Sequence, residues 1–428
     1  MLATLGTLGD LHPFMALALA LRDRGVHPVI ATSTEYRDKV TAAGIEFQPV
    51  KPSFAEIERD LGMTRAELTQ NVVAHPEFLI REVVLPYLRA AYDDMLPLVS
   101  NADAVVTSSL AFGARLAAEK CGIAWIAVVL QPFMFMSAYD PPVIPTQEWL
   151  GGFLRWLGPT LTKPLLRAVK ASLQPMLKPV RRLRQELGLD ASGGNAMFEG
   201  QFSAAGAIAL YSSLLGGAQP DFPTPALIAG FASYDSEDGR STGLEPGLEQ
   251  FLRAGDAPLV FTLGSAIVRI PGSFYQESLA AARRLGKRAV LLVGETPALA
   301  NGRATYGRAA DVFICAYAQH SLLFPRAAAV VHQGGVGTFA QALKSGRPQL
   351  VVPFFADQSD NAARAQRIGV ARVLRPGRYT VDRAVRELET LLTDQYTARA
   401  AQVREHLASE DGSASAASFI IARFGDPT

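Results

Sequence analysis

"AAAVVHQGGVGTFAQ", residues 327–341, is the stretch on which the fold turns. A short apolar run ends at His332, glycines stand at 334, 335 and 337, and "TFAQALKSG" follows with helical spacing. This reads as strand, turn and helix. Glycines let the backbone take positive φ and come close to a ligand. A helix start, expected near Thr338, offers unpaired N–H groups and partial positive charge, which suits an anion. Thr338 can cap that helix or give its hydroxyl to the same anion. A turn needed only for strand–helix packing would read the same way, so the string alone names no ligand.

The pattern repeats outward. "PLVFTLGS", "RAVLLVG", "VFICAY" and "QLVVPF" are further short apolar strands with helices between them, and the N-terminal half alternates likewise. Such runs imply parallel sheets covered on both faces. At 428 residues the chain is too long for one ordinary core. Around 216–256 the texture turns to proline, glycine and acid, with one short strand inside it. The expected division is 1–232, a linker over 233–245, a second domain over 246–405, and a terminal helix over 406–428 packing back on the first domain. The fold class is therefore α/β, with two Rossmann-like, doubly wound parallel-sheet domains expected to face a central cleft. Ligands in such sheets sit at the carboxyl ends of strands.

Composition narrows the function. Hydrophobic residues make up 49% and charged residues 19%, which excludes a disordered chain. A net charge of +1 argues against a nucleic-acid binder. Cys121 and Cys315 lie in apolar stretches and suit free thiols in a reducing cytosol. "MLATLGTLGD" has no basic start, so no secretory leader is expected. The first strand has only about four residues before its turn, so the natural start is expected slightly upstream of Met1. Scattered histidines and the lack of an acidic triplet ahead of the glycine turn give no metal site.

Two neighbours of the glycine turn add chemistry. "QLVVPFFADQSDNA" ends a strand with Asp357, Gln358 and Asn361, which can hydrogen-bond several hydroxyls. "CAYAQHSLLFPR" ends another with Tyr317 and His320, where an aromatic face could stack on a flat base. Phosphate, polyol and planar ring together describe a nucleotide sugar.

From Tyr317 to Asn361 the chain resembles the donor signature of the family 1 glycosyltransferases of GT-B fold, which in bacteria runs aromatic-x-P-[QH], HxGGxGT, DQxxNA. The resemblance implies that Tyr317 stacks on the base. It implies that His332, Gly334, Gly335, Gly337 and Thr338 hold the diphosphate, while Asp357 and Gln358 grip sugar hydroxyls. Gln341 falls where an acid often binds the ribose, and Gln319 where proline is usual, which leaves nucleotide preference open. Ser265, in the strand-closing turn "VFTLGS", and Gly9, in the first turn, join the donor set, with His320. No cofactor is implied beyond the nucleotide sugar, a UDP- or dTDP-hexose, as co-substrate.

The first turn, "GTLGDLHP", is GxxG and not a dinucleotide fingerprint. The family carries its general base three residues before this proline, which here is Asp10. His12 is the rival, since imidazole titrates nearer neutrality. An N-cap is the plain alternative for Asp10. Ser108 and Ser109 stand where plant members place a partner aspartate. "LQPFMFMSAYDPP" offers Phe133, Met134, Phe135, Met136 and Tyr139 as walls of an apolar acceptor pocket, or as ordinary core.

Residues 149–185 hold eight basic side chains and no acid, a pattern that fits peripheral membrane contact or a solvated helical pair. "SSLAFGARLAAEKCGI" and "SAYDPPVIP" are similar to the rhamnosyltransferase subunit of rhamnolipid synthesis, and the chain also resembles sterol, macrolide and flavonoid glucosyltransferases. The resemblance implies inverting, metal-independent transfer of glucose or rhamnose to an apolar acceptor. The expected setting is cytoplasmic, peripheral to the inner membrane, as a monomer or weak homodimer. A sugar-nucleotide epimerase and a non-catalytic partner of the same fold remain as alternatives.

Overall fold

The computed structural model describes all residues except 145–146, 191–193, 237–242, 298, 302–308 and 426–428. The chain divides into two compact units, Met1–Tyr234 with Glu410–Thr428, and Asp235–Ser409.

The first unit holds seven strands: β1 Leu2–Ala3, β2 Val29–Thr32, β3 Glu46–Pro49, β4 Val105–Ser108, β5 Trp125–Val129, β6 Ala207–Ala209 and β7 Ala226–Ile228. They form one parallel sheet ordered β3-β2-β1-β4-β5-β6-β7. The second unit holds β8 Leu259–Thr262, β9 Ala289–Leu292, β10 Val312–Cys315, β11 Ala329–His332, β12 Gln349–Val351 and β13 Ala371–Val373. Its order is β10-β9-β8-β11-β12-β13, again wholly parallel. Every residue of β4, β8, β9 and β11 is buried, because helices cover both faces. Winding reverses between β1 and β4 in one sheet and between β8 and β11 in the other, and a crevice opens at such switch points.

The helix after β1 runs Leu8–Arg22 and starts five residues before Pro13. Thr7 is its N-cap, so Asp10 is not the cap itself but the third helical residue, which returns a hydrogen bond to Thr7. In the second unit the helix after β11 is Val336–Ser345, two residues earlier than the sequence suggests, with Gly335 at its N-cap. Thr338 thus lies within the helix and is buried.

The last helix, Gly412–Phe424, packs on Leu8–Arg22. Ser212 donates to Glu410 at 2.7 Å and Arg423 to the Ala205 carbonyl at 3.1 Å, which ties the chain end to the first unit.

The helices Leu88–Val99 and Phe112–Cys121 meet backbone to backbone at Gly113. A Cβ there would lie 2.7 Å from Tyr92 N and 2.8 Å from the Ala91 carbonyl carbon. Gly113→Val should therefore cost about 3 kcal/mol, seen as a melting temperature lowered by several degrees in calorimetry.

Candidate active site

The turn after β11 is built from the inside. His332 is fully buried. Its Nδ1 accepts from Gly334 N–H at 3.0 Å and its Nε2–H donates to Gln349 Oε1 at 3.0 Å. Burial pushes its pKa down to about 4, so the ring is neutral. His332 thus does not face a diphosphate as expected from the sequence; the strand end turns its ring into the core, where it holds the shape of the turn. Gly334 has φ +86°, and a Cβ there would meet Val351 at 2.8 Å.

Asn361 connects this turn to the next. Its Nδ2 donates to Gly334 O at 2.9 Å and to Asp357 Oδ2 at 2.7 Å. Asp357 is the half-buried N-cap residue of the helix Gln358–Arg367. Gln358 Oε1 accepts Phe354 N–H at 2.8 Å and Phe355 N–H at 3.3 Å, which fixes the orientation of its amide. The structure thereby brings Gly334, Gly335, Gly337, Asp357 and Gln358 together, while Thr338 is buried and Gln341 half-buried along the helix.

Gln333 was missed by the sequence reading. It is 6% exposed and crosses toward the neighbouring strand, where a Cβ on Gly264 would lie 2.1 Å from its Nε2. A Cβ on Gly335 would lie 2.8 Å from the same atom. Its Oε1 is buried without a hydrogen-bond partner. Such a group costs about 1–3 kcal/mol unless something satisfies it. The start of Val336–Ser345 beside it has no side-chain cap. Ser265, in the turn after β8, is exposed. The only sequence signal for Gln333 was its place between histidine and glycine; its partner Gly264 is 69 residues away and adjacent only because β8 pairs with β11.

At the aromatic end, Tyr317 lies 5.5 Å from the His320 ring at 28°, and His320 stacks on Phe324 at 4.3 Å. One face of Tyr317 is therefore occupied. Its hydroxyl donates to Asp235 Oδ1 at 2.7 Å, Ser321 N–H donates to Oδ2 at 2.6 Å, and Gln319 Nε2 donates to Asp235 O at 2.8 Å. Burial holds His320 below the usual imidazole range, partly offset by Asp235. Asp235 had been read as linker; a lone aspartate in a polar stretch gives no pattern to notice.

In the first unit, Asp10 Oδ2 accepts Thr7 N–H at 2.8 Å and the Thr7 hydroxyl at 3.3 Å. Both bonds fall on Oδ2, so Oδ1 stands outside this cap. Burial raises the Asp10 pKa to about 6, against the lowering effect of the Thr7 bonds. Gly9 N–H donates to Thr7 Oγ1 at 3.3 Å, so that amide is engaged in the cap and not held for a donor. His12 Nε2 accepts from the Lys39 ammonium at 3.1 Å, and its ring meets Tyr234 edge-on at 5.4 Å. The turn after β4 is fixed by Arg115, fully buried, which donates to Ser108 O at 3.1 Å and Ser109 O at 3.0 Å.

The acceptor loop divides. Phe135 is buried between Phe222, 3.9 Å away, and Phe202, 5.6 Å away, and Met136 is buried against Leu154 and Leu166. Both are core, because the bend at Met136, φ 47°, turns them inward. Phe133 and Met134 are half-buried and Tyr139 is exposed. Asp221 anchors the loop, accepting from Ser137 Oγ at 2.6 Å and Ala138 N–H at 2.8 Å. An apolar recess lies beside the first turn instead, lined by Leu5, Val50, Pro52, Val84, Leu88, Leu110 and Phe112. Val84 closes a π-helix, Leu79–Val84, an element that sequence periodicity does not reveal.

Residues 1–139 match the glycosyltransferase family 28 N-terminal domain, and residues 309–422 match the C-terminal domain of the erythromycin biosynthesis protein CIII-like family. Over 421 residues the chain is 30% identical to the O-mycaminosyltylonolide 6-deoxyallosyltransferase of Streptomyces fradiae, covering 96% of this chain and 94% of that one. The chain belongs to the GT-B glycosyltransferases. It is also 27% identical to the vancomycin aglycone glucosyltransferase of Amycolatopsis orientalis, over 98% of this chain and 96% of the relative. Among solved structures, the kitacinnamycin glycosyltransferase superposes with TM-score 0.68 at 20% identity, covering 99% of this chain and 98% of that one. Glycosyltransferase VinC in complex with dTDP superposes at 0.67 and 19%, with coverages of 99% and 98%. These likenesses establish the two-domain fold, and the enzyme is a glycosyltransferase.

The His332 environment has a measurable consequence. Between about pH 6.5, where an unfolded histidine takes up its proton, and about pH 4, where the folded ring does, only the unfolded chain gains charge. This ring's share of stability is therefore lost as pH falls through that window. In an NMR titration its Cε1–H signal should move with a midpoint near 4; a midpoint near 6.5 would show an outward-facing imidazole.

Proposed function

We propose that the enzyme transfers a hexose, glucose or rhamnose, from a UDP- or dTDP-sugar to a hydroxyl of an apolar acceptor, with inversion and without a metal. A phenol, lipid or polyketide aglycone is the acceptor class. Relatives named for tylonolide and sterol substrates support an apolar acceptor, and the dTDP complex of VinC supports the nucleotide. Its working place is the cytoplasm.

One observation carries this reading. The uncapped start of Val336–Ser345 lies beside the unsatisfied Gln333 amide, and Asn361 ties its turn to Asp357. Unpaired N–H groups and a helix dipole accommodate a diphosphate. Because an amide side chain carries a donor and an acceptor end, Gln333 can turn either one to the ligand. Asp357 and Gln358 Nε2 would then meet sugar hydroxyls.

In the transfer, Asp10 Oδ1 takes the proton of the acceptor hydroxyl. The oxygen attacks the anomeric carbon, the bond from that carbon to the β-phosphate oxygen breaks, and the nucleoside diphosphate leaves with the electron pair. Its growing charge falls on the helix start. A carboxyl near 6 is ionised at neutral pH yet more basic than an exposed aspartate. His12 is the poorer base, because its Nε2 lone pair already accepts from Lys39.

The reaction is tested by a screen of UDP- against dTDP-hexoses with one promiscuous phenol, followed by mass spectrometry. A glycosylated phenol formed only when donor and acceptor are both present is expected. Conversion of the donor alone, or no product with any donor, would overturn it.

Asp10→Asn should lower turnover by about 10²–10⁴-fold while nucleotide binding, measured by calorimetry, is retained. The wild-type rate should fall below pH 6 as Asp10 protonates. The stability sign is opposite. A carboxyl raised from 3.8 to about 6 contributes fully below 3.8 and loses that contribution as pH rises through 6. The Asn variant should therefore gain in melting temperature relative to wild type at pH 8 more than at pH 5.

A further inference from the structure

We propose that the helix Glu148–Ser172 is a docking face for an anionic lipid bilayer, lying in the plane of the headgroups. The inference is independent of the reaction proposed above.

Apolar side chains lie both under and outside this helix, and only the inner ones are covered. Leu154 and Leu166 point inward and pack with Met136, Ala138 and Phe198. Away from these, Trp149 at 69%, Phe153 at 42% and Trp156 at 79% are exposed ahead of the break at Gly158, and Leu161, Leu165 and Val169 are exposed after it. Six of the eight large apolar side chains exposed among the described residues therefore lie on this one helix. Scattered exposed leucines are ordinary, but so many large apolar side chains on one segment mark a contact surface. The three aromatic rings form a row, Trp149 to Phe153 at 6.1 Å and Phe153 to Trp156 at 5.9 Å. Tryptophan, with an apolar body and one N–H, suits the boundary between acyl chain and headgroup.

Charge selects the occupant. No acid occurs between residues 149 and 185. Lys163 and Arg167 are exposed on this helix, and Lys178, Arg181 and Arg182 are exposed on the next, Lys178–Glu186. A second copy meeting this face across a two-fold axis would bring the same cations against one another. Anionic headgroups neutralise them. The helix does not cross: Gly158, at φ 73° and ψ 169°, breaks it midway, and no helix among the described residues is long and apolar enough to span. An interfacial position satisfies both facts.

The test uses the full chain with phosphatidylcholine vesicles, with and without phosphatidylglycerol. Co-sedimentation with the anionic vesicles only, weakening as salt rises, is expected. Brominated lipid should quench much of the fluorescence, because two of the three tryptophans, Trp149 and Trp156, are in the patch. Trp156→Glu should reduce partitioning about tenfold or more with an unchanged melting temperature. Charge reversal at Lys163 and Arg167 should reduce it with the aromatic row intact. Absence of binding to either vesicle, or equal binding to both, would overturn the proposal. So would a concentration-dependent dimer in light scattering that Trp156→Glu dissociates, which would assign the face to a second copy.

Discussion

The Asn361 side chain donates to Gly334 O and to Asp357 Oδ2, and the second unit keeps the shape of two of its turns through that pair of bonds. The two turns it joins follow different strands, so neither can shift without breaking a buried hydrogen bond. His332 performs the matching task from below, accepting the Gly334 N–H while Gln349 holds its other nitrogen. The N–H and C=O of a glycine at positive φ are thus both engaged. What remains for a ligand is the uncapped helix start and the unsatisfied end of Gln333. This is preorganisation in a concrete sense: the groups that shape the turn are already paired, while the helix start beside them is uncapped.

The first unit makes the opposite compromise. Asp10 is placed where burial disfavours its charge, and the Thr7 bonds restore only part of what burial costs. A cap on an exposed helix would have a lower pKa and hold the fold better. Here the carboxyl is more basic and the unit is less stable at neutral pH, a pattern common where a group must accept a proton.

Much of this was legible in the sequence because parallel sheets write themselves plainly. Buried strands such as β8 and β11 are unbroken apolar runs, and the turns after them carry glycine and polar residues. The turn after β11 and the "ADQSDNA" stretch could be joined on spacing, and the structure does bring them together. Residues whose importance comes from packing against distant parts were not legible. Gln333 matters because of Gly264, and Asp235 because of Tyr317. Phe135 and Met136 fit the composition of a binding wall, yet a bend at Met136 buried them.

The amino-acid sequence by itself determined two parallel α/β sheets, the place of the glycine turn after β11 and the basic, acid-free segment, since these follow from local periodicity and composition. Only the tertiary structure decided which way side chains face. It turned His332 inward and neutral, placed Asp10 inside a capping box, and left the aromatic row of Glu148–Ser172 uncovered. Orientation and burial depend on contacts between segments far apart in the chain, and no local pattern records them.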